Sequence, residues 1–445
     1  YGNRGEKLFC RDKRPVRRQL ISGRPWYPQF RNRIFRIPAD HFCVGSNRSS
    51  CGHCGEIDQE EAEEEKRIKK RVGLITFHAS HNNGSMLQAL ALQNMLKKYG
   101  CEVEIIDFSN EGQRNLYAPL PKAHNWKQVI KRAIWRTNYK ELLKQYESYE
   151  AFSKKYFYLT EKKYYNSSEL YELNEKYDAF IVGSDQVWNI KCIDADEAYF
   201  LTFVKDKPVF AYAVSFGANN AFAPEENGKY VKYFDKFCKV SVREKNAQKW
   251  TLEATGKKVP ICLDPTMLYS ESEWEQMVDI GNEPIINGKY IFYYCFGINE
   301  EIQKFLQWLS HKTGLPVYFI EAKEWTLKMC WRHGIKLVKH YGPDVYMNLV
   351  KYADLFITSS FHGTAFATIY KKTFWYIRSK DSESSKDDRA ITFLSQLGLM
   401  SRYKTVDELK QLDLYEKPNF IDVETNLEKL QVKSKEYLKS VVEEI

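Results

Sequence analysis

The sequence predicts an α/β protein built from two doubly wound, Rossmann-like domains that face a cleft. Three observations carry this reading. A strand–loop–helix–strand run opens at Val72. Short apolar runs then recur, each ending in small or polar residues. The same alternation restarts near Lys289. Strands alternating with helices make parallel sheets.

The first half reads 72–285. Val72–Phe77 is a buried strand, and His78–Ser85 is a loop. A helix with apolar residues at 3.6-residue spacing follows and ends at Gly100, a typical C-cap glycine. Glu102–Phe108 is the next strand. The loop carries one glycine, Gly84, where a dinucleotide fingerprint needs several. Asp107 could mimic its ribose-binding acid, but no nicotinamide or flavin cofactor is expected without the glycines. Lys122–Leu159 is a helical, basic and aromatic insertion. Strands at Tyr177–Val182, Pro208–Val214 and Lys239–Val242 lead into Gly183–Asn189, Ser215–Ala218 and Arg243–Glu244.

The second half reads 286–422. Tyr290–Phe296 is a strand, Glu300–Thr313 a helix and Pro316–Ile320 a strand. Leu355–Ile357 is a further strand, followed by Thr358-Ser359-Ser360, a turn at His362-Gly363 and a helix over Thr364–Tyr370. Phe374–Tyr376 is the next buried strand. Ligands of parallel sheets collect at carboxyl ends of strands, and a helix start there suits an anion. His362 therefore reads as a reaction centre, against a plainer role of capping the helix and packing on Phe361. The stretch 423–445 is a terminal helix expected to pack back across the domains.

Residues 1–71 look like a flexible arm. Tyr1–Arg36 holds eleven Lys/Arg and two Asp/Glu, an excess of nine that equals the net charge of +9 for the whole chain. The remainder sums to zero, so the body is not a nucleic-acid binder by charge. Cys51 and Cys54 form a lone C-x-x-C near His41, Cys43 and His53, which could hold zinc or could be linker; no metal is expected in the body. No apolar run approaches the ~20 residues of a membrane span, and no hydrophobic signal core opens the chain. The expectation is a soluble cytoplasmic protein.

Six motifs occur in order: L-I-T-F-H-A-S-H-N-N-G-S, V-G-S-D-Q-V-W-N, A-Y-A-V-S-F-G-A, S-V-R-E, L-D-P-T and I-T-S-S-F-H-G-T. Together they resemble the polysaccharide pyruvyl transferase family over roughly Val72–Leu399. The resemblance implies a two-domain fold similar to the GT-B glycosyltransferase architecture. It implies transfer of a pyruvyl group from phosphoenolpyruvate to two hydroxyls of a sugar or lipid-linked oligosaccharide, giving a cyclic ketal and phosphate without a cofactor. Some members carry Arg-x-His, and here the arginine position is Ser360.

That chemistry needs cations for the donor, a proton source and a proton acceptor. Arg243 is the leading cation, because guanidinium pairs bidentately with carboxylate or phosphate. Arg389 is a second cation, or part of a solvated charge run. His362 is the general acid. Ser360, Gly363 and Thr364 line its helix start. Asp185 accepts or orients an acceptor hydroxyl proton, or caps a helix. Trp188 offers a ring for a sugar or belongs to the core. Asn82, Asn83 and Gly84 line the acceptor side. Asp264, before Pro265, fixes a turn. A nucleotide-sugar glycosyltransferase and a non-catalytic sugar-binding relative remain open alternatives.

His124–Asn138 is a candidate membrane-surface helix at the inner face of the membrane. At 100° per residue, Trp126, Val129, Ile130, Ala133 and Ile134 share one side. Lys127, Lys131, Arg132 and Arg136 lie elsewhere, with Trp135 among them. Such a helix either lies in a lipid interface or packs its apolar side on the core.

Overall fold

The central strands of the structure, a computed structural model that describes residues 69–217, 224–295, 297–378 and 387–445, are short apolar runs buried on both faces. Phe210, Ala211, Tyr212, Ala213 and Val214 are all fully buried, and so are Ile291–Tyr294. Burial on both sides is what parallel sheets require.

Among the described residues, β1 (Arg71–Ile75), β2 (Glu102–Ile105), β3 (Ala179–Gly183), β4 (Val209–Val214) and β5 (Phe237–Val242) form one parallel sheet. Its order is β2-β1-β3-β4-β5. A second sheet holds β6 (Ile291–Tyr294), β7 (Val317–Phe319), β8 (Lys336–Leu337), β9 (Leu355–Thr358), β10 (Phe374–Ile377) and β11 (Tyr403–Lys404), in the order β11-β10-β9-β6-β7-β8. The pairings are parallel throughout. Both orders reverse direction once, between β1 and β3 and between β6 and β9. These are the switch points at which doubly wound sheets take ligands. The α/β architecture of two such sheets is therefore the one expected.

The helix after β1, α1 (Asn83–Lys98), is buried along nearly its whole length and packs between the halves. The core that contains Leu74 and Ile181 runs without interruption to Phe292, Phe356 and Phe366. The insertion forms α2 (Trp126–Arg136) and α3 (Tyr139–Tyr156). The last helix, α7 in the order used below (Phe420–Glu443), returns to the first sheet. Ser434 Oγ accepts from Leu263 N at 2.9 Å, and Tyr437 Oη donates to the Ala211 carbonyl at 3.3 Å.

The helix expected to start at Thr364 begins three residues earlier. Ser360 is its N-cap, and α5 runs Phe361–Ile369, after α4 (Pro343–Tyr352). A cap hydroxyl draws the first turn back to itself, so His362 and Gly363 are helical. The helix Asp388–Leu397, α6, has no counterpart in the sequence reading. The cysteines Cys43, Cys51 and Cys54 and the histidines near them lie outside the described residues.

Candidate active site

The carboxyl ends of β1, β3 and β5 meet the carboxyl end of β9. The join depends on Gly84, in the first turn of α1. A Cβ there would lie 2.2 Å from the ring of His362. Only glycine lets the two helix starts close to this distance. Asn82 caps α1, its side chain accepting from Gly84 N at 2.9 Å and Ser85 N at 3.2 Å.

Asp264 sits at the centre of the site. Its Oδ1 accepts from Thr266 N at 3.0 Å and Thr266 Oγ1 at 2.8 Å, which fixes the turn expected from the sequence. Its Oδ2 faces the site. Arg243 Nη1 donates to it at 2.5 Å, and His362 Nε2 lies 3.3 Å away. Burial alone would raise this carboxyl, but His362 and Arg243 outweigh burial and hold it well below the usual carboxylate range.

Arg243 is 4 % exposed and His362 6 %. Arg243 Nη2 lies 3.6 Å from Asp185 Oδ1, and its Nε lies 3.9 Å from Glu244 Oε2. Neither nitrogen donates a hydrogen bond. The guanidinium is centred 4.4 Å from the ring of Phe361. Asp185, held at φ 66° just past β3, takes a hydrogen bond from Ser85 Oγ. His362, Arg243 and Asp185, which come from distant parts of the chain, thus form one buried group.

Arg389 lies beside this group but is engaged. Its Nε and Nη2 donate to the two oxygens of Asp387 at 2.8 and 2.9 Å. Ser360 is also occupied, as the cap of α5, accepting from Gly363 N at 3.4 Å. Gly363 backs onto Thr358, whose Oγ1 a Cβ would meet at 2.2 Å. Thr364 is fully buried and donates to the Ser360 carbonyl at 3.1 Å, so it braces the helix start.

Trp188 is not in the site. Its ring is fully buried in the core of the first sheet, stacked 5.4 Å from Phe200, and its Nε1 donates to the Tyr199 carbonyl at 2.8 Å. No face is left for a sugar, and the expectation of a platform is corrected. The apolar area of an indole outweighs its place beside a polar loop.

Asn83, expected on the acceptor side, belongs to a second polar patch next to Gly84 whose other members, Glu321, Gln145 and Tyr149, sequence reasoning missed. Asn83 is fully buried; its Oδ1 accepts from Tyr149 Oη at 2.9 Å and its Nδ2 has no partner. Glu321, just past β7, accepts from Gln145 Nε2 at 3.4 Å through Oε2, while its buried Oε1 has no partner. Burial pushes this carboxyl up to about 7. The signal was polar residues at another strand end, but its partners Gln145 and Tyr149 belong to the insertion. Among the described residues no three His, Cys, Asp or Glu side chains are grouped to hold a metal ion.

Glu244 supplies a pH-dependent prediction. It is fully buried, and Phe216 N donates to its Oε1 at 2.8 Å. Burial pushes its carboxyl up to about 7, against the pull of Arg243. An unfolded glutamate titrates near ~4.3. Between those values the folded chain holds a proton that the unfolded chain has lost, so stability falls as pH rises through that window. Glu244→Gln should remove this decline, worth on the order of 2–3 kcal/mol, and thermal unfolding from pH 5 to 7.5 measures it. A wild-type profile that rises with pH and is unchanged in the variant would refute the assignment.

Comparison with known proteins adds the following. The family model described as polysaccharide pyruvyl transferase matches residues 82–381. No curated protein matches the chain. Solved structures with a similar chain course include UDP-N-acetylglucosamine 2-epimerase from Rickettsia bellii, at 12% identity and TM-score 0.43, covering 85% of this chain and 98% of that one. The S. aureus MnaA–UDP structure aligns at 14% identity and TM-score 0.48, covering 83% and 97%. The E. coli heptosyltransferase WaaC with ADP-2-deoxy-2-fluoro heptose aligns at 12% identity and TM-score 0.35, covering 77% and 98%.

Proposed function

Because the chain belongs to the polysaccharide pyruvyl transferase family, we propose that it transfers a pyruvyl group from phosphoenolpyruvate to two hydroxyls of a sugar in a glycan precursor. The observation that carries this reading is the buried Arg243, whose Nε and Nη2 donate no hydrogen bond, beside His362 on the shared carboxylate of Asp264. A buried guanidinium with open donors is suited to a carboxylate or phosphate.

The residues take these roles. Arg243 holds the donor anion. His362 gives a proton to the methylene carbon of the enol, and positive charge develops at the central carbon. The oxygen of one sugar hydroxyl bonds to that carbon and loses its proton to Asp185. The second hydroxyl oxygen then bonds to the same carbon and passes its proton to the now neutral His362, while the carbon–oxygen bond to phosphate breaks with its electron pair leaving on phosphate, which takes the proton held by Asp185. Asn83 and Gly84 line the acceptor side. Arg389, held by Asp387, acts on the donor through charge and not through a free fork. Ser360 supplies no arginine at the start of α5, so Arg243 carries the direct contact to the donor anion.

The experiment is incubation of the full chain with phosphoenolpyruvate and a panel of free and lipid-linked sugars. The expected result is sugar-dependent phosphate release and a sugar product that has gained one pyruvyl ketal. The engaged Arg389 and the Ser360 cap keep a nucleotide-sugar donor as the second reading. Release of a nucleoside diphosphate from a parallel reaction, with no phosphoenolpyruvate consumed, would establish that rival instead.

A further inference from the structure

Helix α2 faces the wrong way for a core helix. Amphipathic helices in folded domains turn their apolar stripe inward. Here Trp126, Val129 and Ile130 are 68, 56 and 51 % exposed, and Ala133 is exposed beside them. None of the helix is fully buried. The opposite side holds it to the protein. Trp135 Nε1 donates to the Lys323 carbonyl at 3.1 Å, and Arg132 Nη1 donates to the Pro121 carbonyl at 3.2 Å.

The angular order explains what this exposes. With Trp126 set at zero and 100° per residue, Val129, Ile130 and Ala133 lie within about 60° of it. Lys127 and Lys131 flank the stripe on one side, and Arg132 and Arg136 on the other. Gln128 and Trp135 point the opposite way. The helix Trp126–Arg136 contains four basic residues and no acidic one. The segment it packs on carries Glu324, whose charge Lys328 and Lys131 both offset. An outward apolar stripe between two basic rows, ending in an exposed tryptophan, matches the layering of an anionic bilayer surface. Acyl chains meet the stripe, and headgroup phosphates meet the lysines and arginines.

We infer that α2 is a membrane-docking helix that seats the protein on an anionic lipid surface, with Trp126 and Ile130 inserted at the headgroup boundary. Among the described residues no helix is long and apolar enough to cross a membrane, so attachment through α2 is peripheral and reversible. This inference does not depend on the reaction assigned above.

The test uses the full chain and flotation with vesicles of phosphatidylcholine alone or with about one-third phosphatidylglycerol, a content that gives a negative surface potential. Binding should require the anionic lipid and weaken as salt is raised. Lys127→Glu/Lys131→Glu should weaken it by at least about 30-fold, from the usual contribution of each surface lysine. Trp126→Ser/Ile130→Ser should weaken it comparably. Because residues Tyr1–Arg36 are basic and could bind such vesicles themselves, a local readout is needed. Acyl-brominated lipids should quench wild-type fluorescence more than that of Trp126→Leu. Equal binding by wild type and both double variants, with no quenching that depends on Trp126, would overturn the inference. So would a self-association or an intrachain cross-link from α2 to the acidic stretch Glu60–Glu65 that persists with vesicles present, since either would show another occupant on this face.

Discussion

Arg243→Ala should cost about 3–5 kcal/mol of stability and abolish measurable phosphoenolpyruvate binding. The stability loss follows from what the guanidinium neutralises. Asp264 is fully buried and keeps its charge because Arg243 and His362 outweigh the cost of burial. Asp185 lies 3.6 Å from Nη2 and is itself buried. Removing the arginine leaves two buried carboxylates short of a partner. Urea unfolding measures the first effect, and titration calorimetry with phosphoenolpyruvate the second. The two effects separate with further variants. Arg243→Lys keeps the charge but not the fork, so it should recover part of the stability and little of the donor binding. Arg243→Met/Asp264→Asn removes both partners and should recover stability without binding. Wild-type stability in a correctly folded Arg243→Ala would mean that the buried network is not held by this residue.

The fold was readable because its central strands are buried on both faces. Runs such as Val209–Val214 leave no choice of exposed side, and Gly100 marks the end of α1 where the pattern stops. Of the elements that escaped, α6 carries apolar residues at helical spacing, Ala390, Phe393, Leu394 and Leu397, that were passed over, while others have too little pattern. β8 and β11 have two residues each, which no periodicity can mark. The start of α5 was displaced because Gly363 reads as a turn residue, while Ser360 caps the helix ahead of it.

The site was readable for a related reason. His362, Arg243 and Asp185 each lie within four residues of the carboxyl end of a strand, and in parallel sheets those positions converge. Residues whose roles depend on rotamer or on a distant partner were not readable in this way. Trp188 follows the same kind of loop as Asp185, yet its large ring turns into the core while the carboxylate stays in the site. Asp264 was legible as a turn residue through Oδ1; nothing local shows that Oδ2 would meet Arg243 and His362. Glu321 acquires its surroundings from α3, far away in sequence.

His362→Ala should lower turnover by about 10²–10⁴-fold, the range typical of a general acid or base. The imidazole is the group in this site best matched to proton transfer near neutral pH. Asp264 stays ionised under the charges around it. The position is also enforced, since Gly84 leaves no side chain between α1 and the ring, and Asp264 Oδ2 lies 3.3 Å from Nε2. The loss should therefore fall on turnover and leave phosphoenolpyruvate affinity within a few-fold, because Arg243 keeps its bond to Asp264. His362→Gln can still donate a hydrogen bond but cannot deliver a proton, so it should be nearly as slow as the alanine variant. Folding of both variants, followed by circular dichroism and thermal unfolding, should stay cooperative, so that the loss is one of chemistry. Normal turnover in folded His362→Ala would remove His362 from the chemistry. A glutamine variant restored to within a few-fold of wild type would reduce it to a hydrogen-bond donor for the leaving phosphate.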